Sequence, residues 1–192
     1  MNRREQDNGF PVHPSTEKAE RVSEAALTAL SSPALARGAT DLVDLVQLVG
    51  AAALPPGFIN LPHMRRPPWR TAAGGIVQVR LRATLRSSDG AELGVSESLA
   101  LLQRGRQLRF EALQTNGLPL PSDYQVEWRV TNTDKMARAE RALRGDFYPS
   151  HTGNCRSETL RYRGVHMVEA FVIRKRDQRL VGKSPAHMVV IQ

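Results

Sequence analysis

The spacing of hydrophobic positions changes near Gly74, and this change divides the chain into two parts. Before it, apolar residues recur at intervals of three and four, as they do on one face of a helix. A first helix is predicted over residues 15–30. A second is predicted to begin at Thr40 or Asp41, where the side chain can cap the helix, and to bury the apolar stripe Leu42, Leu45, Val46 and Val49.

The segment that follows the second helix, from Phe58 to Trp69, contains too many prolines for regular secondary structure. Such a segment is expected to lie extended across another part of the molecule. Its large apolar side chains would hold it there, and the predicted anchors are Phe58, Ile59 and Trp69.

After Gly74, apolar and polar residues alternate, which is typical of half-buried β-strands. The clearest strand, residues 77–85, carries a basic outer face formed by Arg80, Arg82 and Arg86. A strand over residues 124–132 should bury one face, and residues 165–175 are apolar on both faces, as expected of a covered central strand. Further strands are predicted at 95–102, 108–113, 157–162 and 186–191, with a short helix at 134–143.

These short strands, about seven in number with turns between them, indicate a mainly β fold. The predicted architecture is an antiparallel, immunoglobulin-like β-sandwich preceded by two short N-terminal helices. Residues 1–73 would form a flexible lead, the two helices and the proline-rich segment. Residues 74–192 would form the sandwich.

The composition of the chain indicates which kind of partner it favours and in which compartment it is expected. The net charge of +8, supplied mostly by arginine, favours anionic partners such as phosphates. No run approaches the length of a membrane-spanning helix, and the N-terminus has no apolar core of a signal peptide. With Cys155 as the single cysteine, we expect a cytoplasmic protein without disulfides or membrane contact.

The sequence lacks the usual catalytic signatures, so we expect no enzymatic activity and no cofactor. It contains no phosphate-binding Gly-x-x-x-x-Gly-Lys loop, no Gly-x-Ser-x-Gly elbow and no His-Glu-x-x-His pair. His151, Cys155 and His166 show no short metal-ligand spacing. We therefore expect no metal site either.

The C-terminal half carries four spaced motifs: Tyr124-x-Val126-x-Trp128-x-Val130-x-Asn132-Thr133, Leu143-Arg144-Gly145-Asp146-Phe147, Glu158-Thr159-x-x-Tyr162-x-Gly164-x-His166-x-Val168-Glu169, and Ser184 before a terminal strand. This pattern resembles the adenylyl/guanylyl cyclase and SMODS C-terminal sensor domain. That domain is typically fused to the cyclic-oligonucleotide synthases of CBASS antiphage systems. Asp134 departs from the family pattern, which usually has glycine there.

The resemblance implies a non-catalytic sensor of a nucleotide or cyclic oligonucleotide in prokaryotic antiphage defence. With only two helices before the proline-rich segment, the synthase domain is expected to be absent, so the sensor would signal to a separate synthase or effector, or act as a homodimer. The residues implied in ligand binding are Trp128, Asn132, Arg144, Gly145, Glu158, Thr159, Tyr162 and His166.

Each of these residues also has a structural interpretation, which stays open at this point. Trp128 could be a core aromatic, Asn132 a turn-former, and Arg144-Gly145 the end of a helix. The remaining four could form a buried polar network. Two other functions also stay open: a protein-interaction module without a small ligand, and a basic nucleic-acid-binding module that uses the arginine-rich strand face.

Overall fold

The computed structural model describes residues 41–49, 54, 60–74, 77–133 and 135–192. The predicted first helix and the anchors Phe58 and Ile59 lie outside these residues. The described residues form two short helices and ten strands, which in chain order are α1 Leu42–Val49, β1 Val79–Arg86, β2 Glu92–Val95, β3 Leu101–Leu102, β4 Gln107–Gln114, β5 Tyr124–Thr131, α2 Lys135–Ala139, β6 Phe147–Pro149, β7 Cys155–Thr159, β8 Gly164–Arg174, β9 Arg179–Lys183 and β10 His187–Ile191.

The strands form two sheets, which confirms the predicted mainly β, antiparallel architecture. One sheet has the order β2-β1-β4-β7, and the other has the order β3-β10-β8-β5-β6. Strand β9 also pairs with β8, beyond the residues that pair with β10. Every pairing between these strands is antiparallel except that of β3 with β10, which is parallel.

The main core lies between the inner faces of the two sheets. Strand β5 contributes Val126, Trp128 and Val130, as the alternation predicts, and the four-stranded sheet contributes Phe110 opposite them. Trp128 and Phe110 are both fully buried, with ring centroids 6.3 Å apart. Burial of such large apolar surfaces is the principal stabilising contribution to the fold.

Strand β8 is covered on both faces, as its continuous apolar sequence predicts. Val168, Ala170 and Val172 point into the main core, while Val165 and Met167 pack in a second cluster with helix α1. The helix begins where predicted, because the amide of Asp44 donates to Asp41 Oδ1 over 2.9 Å and so caps the first turn. Arg163 pairs with both of these aspartates.

Residues 60–72, which we call the arm, lie across the outer face of the six-stranded sheet. Trp69 packs edge-on against Phe147, with ring centroids 4.9 Å apart, and also contacts Phe171. At the end of the arm, the Ala72 amide donates to the Leu180 carbonyl over 2.9 Å. Trp69 is therefore an anchor of this segment, as predicted, whereas residues 61–64 form a turn in which the Met64 amide donates to the Leu61 carbonyl.

Residues 95–102 do not form the single strand that was predicted. Strand β2 ends at Val95, and the chain then turns through Leu99, whose φ of 71° lies in the left-handed region. Strand β3 consequently joins the opposite sheet, where it pairs with β10. The prediction was wrong because alternation within a segment cannot reveal that its two ends belong to different sheets.

Among the described residues, neither helix has the length and apolar character needed to cross a membrane.

Candidate functional site

A cavity of about 430 Å³ opens between the two sheets, at the end where β5, β7 and β10 finish and where β4 and β8 begin. Both sheets contribute apolar side chains to its wall, namely Leu108, Phe110, Val130, Val168, Val189 and Ile191. Polar and charged side chains complete the lining, among them Asn132, Arg144, His151, Arg156, Glu158, Thr159, Arg161, Tyr162 and His166.

Three arginines and one carboxylate line the cavity, and two of the arginines, Arg144 and Arg156, pair with the carboxylate of Glu158. Arg144 donates to both oxygens of Glu158, over 2.7 and 3.2 Å, in a bidentate ion pair. The Nε of Arg156 donates to the same carboxylate over 2.5 Å. Both guanidinium groups also lie over the ring of Tyr148, at 4.3 and 4.6 Å from its centroid. Two cations therefore share one anion, which leaves a net charge of +1 in this cluster.

The surroundings of Glu158 and Arg144 favour the charged form of each. Burial alone would raise the pKa of the Glu158 carboxyl, but hydrogen bonds and charges from Arg144 and Arg156 outweigh it and hold the pKa below its ordinary value. Burial opposes the charge on Arg144 in the same way, yet its contacts with Glu158 and Tyr148 raise the pKa of the guanidinium. The cluster is therefore ionised at neutral pH.

Local structure explains why these side chains meet. Arg156 and Glu158 alternate along β7 and pair in register with Phe110 and Leu108, which face the core, so their side chains share the inner side of the sheet. Arg144 lies between α2 and β6. Its carbonyl accepts a hydrogen bond from the Asn132 amide over 3.1 Å, which fixes the position of Arg144 relative to the end of β5.

His166 lies on β8 beside Val168 and is only 6% exposed. Its Nε2 is 2.9 Å from the carbonyl oxygen of Tyr162. Burial, together with the nearby charge of Arg144, lowers the pKa of the imidazole below 6.5, although the hydrogen bond to Tyr162 acts in the opposite direction. His166 is therefore neutral at pH 7.

Asn132 follows the last residue of β5 and closes the segment that leads to Arg144. Its side-chain Nδ2 donates to the carbonyl of Ala142 over 2.9 Å, and its own carbonyl oxygen lies 2.9 Å from Nε2 of His63 in the arm. One residue thus contacts both the cavity and the arm. Asn132 therefore holds the loop between β5 and Arg144 and also lines the cavity.

The cavity brings together six of the eight residues that the resemblance implies: Asn132, Arg144, Glu158, Thr159, Tyr162 and His166. Trp128 does not line it, because this residue is fully buried in the main core and its indole N–H donates to Ser150 Oγ over 3.0 Å. Gly145 does not line it either. Its carbonyl accepts from the Arg65 amide of the arm over 2.9 Å.

Sequence reasoning missed Arg156 and His151, which also line the cavity. A signal for Arg156 was present, since it stands two residues before Glu158 on the same predicted strand face. His151 lies in the loop before β7, where alternation carries no information. Its Nδ1 accepts from the Ser157 amide over 3.2 Å.

Gly145 has a packing role that a substitution would reveal. A Cβ at this position would overlap the carbonyl of His63, so we expect Gly145→Ala to loosen the arm and to lower the free energy of unfolding by about 1–3 kcal/mol. Hydrogen–deuterium exchange should then speed up at the arm amides. Gly153→Ala is the control, because a Cβ there meets no neighbour and its effect is confined to backbone strain at a φ of 54°. Unchanged arm exchange in Gly145→Ala would contradict this role.

Other polar features lie away from the cavity. The basic stripe is on the outer face of the four-stranded sheet, where Arg80 and Arg82 are exposed and Arg82 pairs with Glu111. Cys155 is buried, and its sulfur accepts from Arg109. Among the described residues, no three histidine, cysteine or acidic side chains group as a metal ion would require.

The fold and this cavity define a class of protein: a two-sheet β-sandwich with an arginine-bearing cavity between its sheets. The model of the Adenylyl/Guanylyl and SMODS C-terminal sensor domain matches residues 60–192, and the chain belongs to that family. The matched region includes the arm as well as every strand. No curated protein matches the chain.

Proposed function

We propose that this protein is a non-catalytic sensor that binds a nucleotide or cyclic oligonucleotide in the cavity and acts in antiphage defence signalling. The observation that carries the proposal is the juxtaposition of Arg144 and Arg156 with an apolar wall inside one cavity. Membership of a sensor-domain family supports it independently.

Each part of the cavity suits one part of a nucleotide. Guanidinium groups match phosphate oxygens in planar, two-point geometry, and Arg144 already makes such a contact with Glu158. An incoming phosphate would compete with this carboxylate for the two arginines. The apolar wall suits the faces of a base. The volume of about 430 Å³ falls near the lower end of the range of small-molecule sites, roughly 300–1,000 Å³. It therefore favours one nucleotide unit in the cavity.

A sensor without catalysis needs a partner that receives its signal. We propose that this partner is a synthase or effector protein, or a second copy of the chain. The arm is a suitable route for the signal, because His63 contacts Asn132 and the Arg65 amide contacts Gly145. Both contacts fall on the segment that also carries Arg144.

Arg144→Gln tests the binding site. We expect it to weaken nucleotide binding roughly 10- to 100-fold, because it removes a charge-assisted hydrogen bond while Arg156 still holds Glu158. Calorimetric titration with AMP, GMP and cyclic di- and trinucleotides measures the effect. Heating the purified protein and identifying the released small molecules provides a second route to the ligand.

The matched control is Arg176→Gln, which removes the same charge from an exposed turn outside the cavity. Its affinity should equal that of the unchanged protein. If no nucleotide binds at sub-millimolar concentration, the proposed function is wrong. Equal losses in both variants would mean that net charge, and not the cavity, controls binding.

A further inference from the structure

One residue that lines the cavity carries a buried hydrogen-bonding atom that the fold leaves unused. Within the part of the chain that the structure describes, Nδ1 of His166 is buried and has no hydrogen-bond partner. Buried polar atoms are almost always paired, and an unpaired one destabilises the fold. His166 itself lines the cavity, and a bound molecule that displaces the side chains around Nδ1 would supply the partner that this atom lacks.

The chemistry of that partner follows from the other side of the ring. A carbonyl oxygen can only accept, so at the 2.9 Å contact with Tyr162 the Nε2 of His166 must carry the hydrogen. In a neutral imidazole the remaining nitrogen then has a free lone pair and no hydrogen. Nδ1 is therefore an acceptor, and only a donor can pair with it.

A phosphate oxygen is an acceptor at neutral pH and cannot fill this role. The part of a nucleotide that carries donors is the base, through its amino or ring N–H groups, or the sugar, through its hydroxyls. Arg144 and Arg156 supply the donors that a phosphate requires. The two kinds of group therefore fix the direction in which a nucleotide lies in the cavity.

We propose that His166 determines specificity in this cavity by accepting a hydrogen bond from a base N–H or a ribose O–H of the ligand, while the phosphate lies towards Arg144 and Arg156. This inference rests on the proposed function and adds the chemical class of group that the site selects. Val130, Val168 and Val189 would form the apolar surroundings of that hydrogen bond, where an unmatched acceptor is most unfavourable.

The test compares ligands that differ by a single donor. The pairs are AMP with purine riboside 5′-monophosphate, GMP with inosine 5′-monophosphate, cyclic di-GMP with cyclic di-IMP, and each ribonucleotide with its 2′-deoxy form. We expect one of these deletions to weaken binding at least about tenfold, as is typical when a buried acceptor loses its donor. The same deletion should have no effect on His166→Phe, which has no acceptor.

Two further variants keep the result interpretable. His166→Asn can place an amide oxygen near the position of Nδ1 and should restore part of the discrimination. His187→Phe is the matched control, because His187 is also a buried histidine with an unpaired ring nitrogen among the described residues, but it lines a different hollow with Arg80, Arg82 and Ser96. It should discriminate between the ligands as the unchanged protein does.

Binding of nucleotides with equal affinity for every pair would overturn the role of His166 and leave the proposed function intact. Discrimination that persists in His166→Phe would overturn it as well. If no nucleotide and no analogue binds at all, the proposed function fails and this inference fails with it.

Discussion

Glu169→Ala is expected to lower the free energy of unfolding by about 3–5 kcal/mol, because it leaves a buried cation without its partner. The Nη2 of Arg129 lies 2.6 Å from the Glu169 carboxylate, and both side chains are less than a tenth exposed. The same guanidinium lies over the ring of Phe171 and donates to the Arg65 carbonyl of the arm. Lys183 would remain beside the position of the missing carboxylate. Repulsion between its charge and that of Arg129 would add to the loss of stability.

Urea-induced unfolding, followed by circular dichroism, measures this effect. Glu92→Ala is the matched control, because Glu92 lies on the exposed strand β2, and it should change stability by no more than about 0.5 kcal/mol. Replacing both partners, as in Arg129→Met with Glu169→Leu, should regain most of the loss, since a buried pair exchanged for apolar side chains is often neutral. A loss below about 1 kcal/mol in Glu169→Ala would contradict the assignment of this pair as a buried, coupled unit.

Trp128→Ala is expected to lower the free energy of unfolding by about 3–5 kcal/mol, the usual effect of removing a large aromatic side chain from a core. The residue is fully buried between the sheets beside Phe110. Its indole N–H donates to Ser150 Oγ, which in turn donates to the Val126 carbonyl over 3.0 Å. The substitution therefore opens a cavity and also breaks a buried hydrogen-bond chain.

Trp128→Phe separates this structural role from base stacking. It keeps an aromatic ring in the core and should be less destabilising than alanine, with nucleotide affinity unchanged because Trp128 does not line the cavity. Calorimetric titration below the melting temperature of the variant makes the comparison. Loss of binding at nearly unchanged stability would instead favour stacking on the ligand.

The sequence predicts the strands whose burial leaves a clear pattern of apolar and polar residues. Alternation identifies β1 and β5, where successive side chains differ in burial, and the continuous apolar run identifies β8, where both faces are buried. Strands β2, β6 and β9 are not among the predicted strands, and each of them pairs with a longer neighbour. The helix predicted at 134–143 shortens to α2, and Arg141 follows it with a φ of 52°.

The sequence predicts most of the residues of the candidate site. It does not predict which of them contact one another. Motif resemblance selects Arg144, Glu158 and His166, which come from a loop and two strands in different sheets. It gives no reason to pair Arg144 with Glu158, because that contact depends on how the sheets stack. Gly145 shows the same limit. Its position in the motif predicts contact with the ligand, but its backbone packs against that of His63.

The contacts that hold the arm have a consequence for how far its sequence can vary. Four main-chain groups of the arm form hydrogen bonds to the sandwich. They are the amide and carbonyl of Arg65, the carbonyl of Arg70 and the amide of Ala72. Side chains such as those of Arg66, Pro67 and Pro68 are exposed and take no part in these bonds. The exposed side chains of the arm can therefore vary widely in sequence while the attachment of the arm to the sandwich persists.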